Sequence, residues 1–183
     1  CLFACLNSNI SKLIIVIIYR PPKSSLSQFL DDFHNLSESL YSQSIPFYIF
    51  GDFNISLYKP NDFYVSKFFQ ILSTFNLSQH CNFPTNKFGN TIDLIISSSF
   101  ITISNISSEQ VHFSDHYFIS CSLSLSHPFS RFFSDIFFSS MPCAIGERHI
   151  LPRQTMSIFI AGDSVLNSNK THIFKICCVF TFH

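Results

Sequence analysis

Leu13-Ile14-Ile15-Val16-Ile17-Ile18-Tyr19 is apolar at every position and mostly β-branched. An unbroken run of this kind predicts a strand buried on both faces. Pro21-Pro22 ends it, because proline cannot continue a central strand. The period then changes. Leu26, Phe29, Leu30, Phe33, Leu36 and Leu40 recur at helical spacing, with Asp31, Asp32, Asn35 and Glu38 between them. The spacing predicts an amphipathic helix over 25–43, capped by Ser24 or Ser25. A second apolar run, Ile45 to Phe50, predicts a strand that ends at Gly51, where glycine lets the backbone turn. Phe68, Phe69, Ile71, Leu72 and Phe75 predict a helix over 62–76, capped by Asn61 or Asp62.

Beyond the loop around Pro84 and Gly89 the helical period disappears. Thr91–Ser97, Phe100–Ile106 and Tyr117–Leu125 predict three short strands in succession, hence antiparallel pairing. Strand–helix–strand–helix followed by strands predicts an α/β layered sandwich with a mixed sheet. Residues 1–9 carry little pattern. From Pro128 onward the chain mixes Phe, Ser, Pro and Gly without a clean period or a motif. We therefore divide it into a domain over 1–127 and an unassigned tail over 128–183, expected to be poorly ordered.

Composition narrows the picture a little. The 183 residues suffice for one domain with a real core. Charged residues are only 12%, against an average of about 25%. Phe contributes 24 residues and Trp none, and the formal net charge is zero. No strongly basic or acidic surface announces a partner. The seven cysteines show no zinc spacing and no C-x-x-C pair, so we expect free thiols in a reducing, intracellular setting. No apolar stretch is long enough to span a bilayer, and no membrane association is expected. The chain has no initiator Met, which leads us to expect a fragment of something longer.

The candidate chemistry sits at predicted strand ends. Gly51-Asp52-Phe53-Asn54 offers a carboxylate and a carboxamide two residues apart. Tyr19 closes the first strand, Asp93 lies early in another, and Asp115-His116 precedes the last. In an α/β sandwich, strand ends along one edge form a common ligand surface. Three carboxylates, an imidazole, a carboxamide and a phenol suit metal-assisted hydrolysis of a phosphate ester. Hard oxygen ligands favour Mg2+ or Mn2+. Plainer readings stand beside this one. Asp-Phe-Asn and Ser-Asp-His are also ordinary turn sequences. Tyr19 is equally a core aromatic, and a buried Asp93 would need a partner, for which His116 is the candidate.

Taken together, Tyr19-Arg20-Pro21-Pro22, Gly51-Asp52-Phe53-Asn54, Gly89-Asn90-Thr91-Ile92-Asp93-Leu94-Ile95-Ile96 and Ser114-Asp115-His116 resemble the endonuclease/exonuclease/phosphatase superfamily. The nearest resemblance is to the apurinic-type endonuclease domain of non-LTR (LINE-like) retrotransposons, in order and spacing over about residues 10–126. The resemblance implies a Mg2+- or Mn2+-dependent DNA endonuclease, acting in the nucleus for a functional parent element. It assigns Asp52 to the attacking water, Asn54 and Tyr19 to the scissile phosphate, and Asp115 to the metal, with Asp52 a possible further ligand. His116 would bind the phosphoryl oxygen, and Asp93 would hold its imidazole.

That fold has two similar halves, and this chain resembles mainly the second. The first half normally supplies an Asn on its first strand and a metal-binding Glu. Asn7, Asn9 and Glu38 do not stand in those contexts. The expectation is a partial four-layer sandwich without its N-terminal half, with an incomplete metal site and little or no activity. Half a sandwich would expose an apolar sheet face, favouring self-association or aggregation. Two alternatives keep the resemblance: a non-catalytic remnant or interaction module, and a phosphoinositide or sphingolipid phosphoesterase. The lipid enzymes usually carry Trp-Cys-Asp-Arg where this chain has Thr91-Ile92-Asp93-Leu94, so they rank last.

Overall fold

The computed structural model of the chain describes residues 2–7, 12–59, 61–98, 102–125, 137–139, 154–161 and 172–182. Two sheets form. The first has strands β1 (Leu2–Asn7), β2 (Lys12–Tyr19), β3 (Phe47–Asp52), β4 (Leu77–Gln79), β5 (Asp93–Ser98) and β8 (Phe137–Ser139), in the order β4-β5-β3-β2-β1-β8. The second is antiparallel, with β6 (Thr102–Glu109), β7 (Phe118–Leu125), β9 (Gln154–Ala161) and β10 (His172–Phe182) in the order β6-β7-β10-β9. Helices α1 (Leu26–Ser42) and α2 (Phe63–Thr74) complete the described elements.

The first sheet is mixed, as expected. β2 and β3 run parallel, joined by α1, whereas β5 lies antiparallel to β3. Ser25 caps α1 by accepting from the Gln28 amide, and Asp62 caps α2 by accepting from Tyr64 and Val65. Alternation along the strands sorts the core. Ile14, Val16, Ile18, Phe47, Ile49, Leu94 and Ile96 belong to the cluster that includes the buried faces of both helices. Phe33 lies at its centre, with ring centroids 5.5 Å from Phe53 and 5.7 Å from Phe68.

The opposite face carries Leu13, Ile15, Ile17, Tyr48, Phe50 and Ile95, all buried. Cys121 of β7 lies close enough to Tyr48 and Cys81 to raise both side-chain pKa values beyond what burial does. β2, β3 and β5 are therefore covered on both sides, and the sheet face that half a sandwich would leave bare is buried here.

Some boundaries differ from the periodicity reading. β1 arises from residues 2–7, which showed little pattern, because β2 offers a complete antiparallel partner from Leu2↔Ile17 to Asn7↔Lys12. β4 is only three residues, too short to show a period. β6 runs to Glu109, through an irregularity between Ser104 and Ser107 where Asn105 has φ 51°. Phe100, which opened the predicted strand, lies outside the described residues. The tail contributes β8, β9 and β10, with β10 pairing directly with β7.

Gly51 corrects the expected turn. It lies inside β3, and a Cβ there would run into the Ile18 carbonyl oxygen of β2. Close strand approach, not turning, requires glycine at this position. The turn comes later, at Asn54, which adopts the left-handed region at φ 51°.

Candidate active site

Register places three of the sequence candidates in one row. Tyr19 is opposite Asp52 across the parallel β2–β3 pair, and Asp52 is opposite Asp93 across the antiparallel β3–β5 pair. β2 and β3 end where β5 begins, so all three residues stand at one edge of the sheet. Residues opposite one another share a face. That face is the one away from the helices. A fourth residue enters from the loop before β7. An isolated bridge between Asn86 and His116, with Tyr117 N donating to Thr85 O at 2.8 Å, holds His116 over this row.

Asp52, Asp93 and His116 consequently converge, with one ligand atom from each lying within 4.8 Å of the others. All three are buried. His116 Nδ1 sits 2.9 and 3.0 Å from the two Asp93 oxygens. Asp93 thus has the partner that a buried carboxylate requires. Ser114 Oγ accepts from the His116 amide at 3.0 Å, fixing the loop beneath the ring. Thr85 Oγ1 accepts from the Ile92 and Asp93 amides and donates to the Asn90 carbonyl at 3.3 Å.

Asn54 joins the group through Asp52. Its backbone amide donates to Asp52 Oδ1 at 3.0 Å, and its Nδ2 donates to Asp52 Oδ2 at 2.9 Å and to the Arg20 carbonyl at 2.8 Å. Both Nδ2 hydrogens are therefore engaged within the protein, and donation to a phosphate would require exchanging one of them. Tyr19 is half-buried at the end of β2. Asp115 is half-buried too, and its carbonyl accepts from Lys87 N at 3.0 Å. Its carboxylate falls outside the three-residue group, although its charge helps raise the His116 pKa.

The electrostatics follow from two carboxylates sharing one dry site. Burial, then the Asp93 charge, pushes the Asp52 pKa up to about 7, offset in part by His116 and the Asn54 hydrogen bonds. Burial raises Asp93 as well, against the opposing effect of His116. Burial would lower His116, but its hydrogen bond to Asp93 and the charges of Asp93, Asp52 and Asp115 outweigh that and raise it. A cation bound among these oxygens would relieve the repulsion between the carboxylates. Two carboxylates and an imidazole within 4.8 Å of one another could hold a metal ion.

A family model described as endonuclease-reverse transcriptase matches residues 13–120, more than half of the chain. The chain belongs to this family. Among solved structures it is similar to the endonuclease domain of TRAS1, a telomere-specific non-LTR retrotransposon, with a TM-score of 0.53 and 14% identity. That match covers 63% of this chain and 60% of the TRAS1 chain, and it shows that the two share the endonuclease/exonuclease/phosphatase-like fold. No curated protein matches the chain. Among the described residues, no helix is long and apolar enough to cross a membrane.

For this retrotransposon endonuclease-like domain, sequence reasoning overlooked two residues that organise the site. Thr85 carries no motif signal, and only its contacts reveal it. Arg20 was visible, because it directly follows a wholly apolar strand and precedes Pro-Pro. An arginine in that position, level with Gly-Asp-Phe-Asn on the neighbouring strand, marks a side chain that must fold back onto the loop.

Proposed function

We propose that Asp52, Asn54, Asp93 and His116 form the second-half portion of a Mg2+- or Mn2+-dependent DNA phosphodiester hydrolase site. The observation that carries this reading is the convergence of buried Asp52, Asp93 and His116 within 4.8 Å. A divalent cation held by Asp52, with Asp115 assisting, would polarise the phosphoryl oxygen and stabilise the leaving oxygen. The protein groups do the rest. Asp52 accepts the proton of the attacking water as the new P–O bond forms and the bond to the sugar oxygen breaks. Asp93 holds the His116 ring through Nδ1, and His116 donates to the phosphoryl oxygen. Asn54 orients Asp52. Tyr19 contacts the phosphate and Asp115 assists the metal.

The chain spans 60% of the TRAS1 domain's length, and we propose that it does not complete this site alone. The test pairs Mn2+ binding, followed by electron paramagnetic resonance, with nicking of supercoiled plasmid. We expect Mn2+ to bind and Asp52→Asn to weaken binding by at least ~10-fold, with no nicking above background by either protein. Equal Mn2+ binding by Asp52→Asn overturns the metal assignment. Nicking that Asp52→Asn abolishes would show that the site is complete in this chain. A non-catalytic interaction module is the second reading, favoured by the engagement of both Asn54 Nδ2 hydrogens.

A further inference from the structure

Arg20 is buried, at 5% exposure, at the junction between β2 and α1. Burial lowers its pKa, with Asp52 and Tyr19 acting in the opposite direction. A buried guanidinium usually faces a carboxylate. Here its hydrogen-bond partners are carbonyls and one hydroxyl. Nε donates to Phe53 O at 2.7 Å and Nη2 to Asn54 O at 2.7 Å. Nη1 reaches Pro21 O, Ser24 O and Ser24 Oγ at 3.1–3.3 Å. The group lies 5.9 Å from the centroid of Phe29, which packs edge-on against Phe53. The main chain of the same residue completes a loop of bonds. Arg20 N donates to Asp52 O at 2.9 Å, and Arg20 O accepts from Asn54 Nδ2 at 2.8 Å.

The Phe53–Asn54 carbonyls point at the arginine because Asn54 is left-handed, at φ 51°. A non-glycine residue in that region is held there by its surroundings. The same conformation brings the Asn54 amide and Nδ2 onto the two oxygens of Asp52. We infer that Arg20 is a positioning residue: its planar fork clamps the Phe53–Asn54 turn and thereby sets the Asn54 carboxamide against Asp52. The inference rests on the proposed hydrolase site for its functional meaning, but its geometric content does not depend on that activity. It also removes Arg20 from the cations available to a phosphate. Lysine would not substitute, since a single ammonium cannot bridge carbonyls on both sides of the fork.

The test reads Asn54 directly, without nucleolysis. Solvent exchange of the Asn54 side-chain amide protons is followed by 1H–15N NMR in wild type and in Arg20→Lys, with Ile49 and Ile96 backbone amides as reporters of the core. We expect Asn54 Nδ2 exchange to accelerate by at least ~10-fold in Arg20→Lys while the core reporters move by less than ~2-fold, reflecting a local opening rather than global unfolding. Unchanged Asn54 exchange beside an intact core overturns the inference. If Arg20→Lys fails to fold, wild type still decides. The Arg20 Nε–H must exchange slowly with the Asn54 Nδ2 protons, and exchange at the rate of free arginine overturns the inference. Mn2+ binding by wild type and by Asp52→Asn tests the hydrolase reading separately and leaves this result unaffected.

Discussion

Asp52→Asn should flatten the dependence of stability on pH. The native state holds the Asp52 proton up to about pH 7, while the ordinary value for an aspartate is 3.8. Between those limits the folded chain binds more protons than the unfolded chain, so stability falls as pH rises. From pH 5 to pH 8 the titratable span is roughly 2 units, a ceiling of ~3 kcal/mol at 1.36 kcal/mol per unit. Relaxation and water entry around a buried charge reduce this to ~1.5 kcal/mol. For a chain of this length that is roughly 3–6 °C in Tm. The raised His116 contributes in the same direction, since its stabilisation is lost as pH rises through its folded value. Asp52→Asn removes the contribution of Asp52 and part of that of His116, because the Asp52 charge helps raise the His116 pKa. Urea unfolding at pH 5 and pH 8, for both proteins, measures the difference in slope. Saturating Mn2+ should shrink the wild-type slope, because it binds the ionised native form, by up to ~2.7 kcal/mol at a hundredfold excess over Kd. Identical pH slopes for wild type and Asp52→Asn, without metal, would refute the reasoning that Asp52 is destabilised by burial beside Asp93.

Asp93→Asn should lower the His116 pKa, because burial lowers it and the Asp93 hydrogen bond and charge that oppose burial are removed. Ring 1H–13C shifts against pH report it, and an unchanged titration would mean another group controls the imidazole. Gly51→Ala should destabilise the chain by ~3 kcal/mol or more, because the new methyl meets the Ile18 backbone, which cannot move without disturbing the β2–β3 pairing. A urea midpoint close to wild type would contradict that contact. Phe33→Ala should cost about 3–5 kcal/mol, since its ring touches Phe29, Phe53 and Phe68 at once. DNA affinity should fall with salt, and replacing the exposed Lys23, Lys59 and Lys87 together by Ala should lower the log–log slope by up to roughly 3. An unchanged slope in the triple variant, measured by fluorescence anisotropy, would mean that these lysines do not touch phosphate.

The elements legible in the sequence are those whose signal is local. β2 needs no partner to be recognised, because seven consecutive apolar residues read as a doubly covered strand. α1 and α2 each carry a cap and a full apolar stripe, and Ser25 and Asp62 act as those caps. β1, β8 and β10 are different. Their identity as strands depends on pairing with β2, β1 and β7, which their own residues do not show. The site divides in the same way. The residue types were readable, and the superfamily resemblance supplied their grouping. Spacing alone could not say that Asp52 and His116 meet. That meeting depends on β5 running antiparallel to β3, so that Asp93 begins its strand where Asp52 ends, and on the Asn86–His116 bridge.

A chain with few charges makes each buried one more informative. The site gathers two carboxylates, and Arg20 lies buried beside them, bonded to the main chain rather than to either acid. An ion pair between Arg20 and Asp52 would neutralise the carboxylate and hold it below its ordinary pKa. It would also occupy the oxygens that a metal or a water must reach. Directing the guanidinium to carbonyls instead leaves Asp52 raised to about 7, contacted by Asn54. The unfavourable placement of the acid and the indirect placement of the base are thus one arrangement: the cation organises the turn, and the turn presents a carboxylate that remains able to take up a proton.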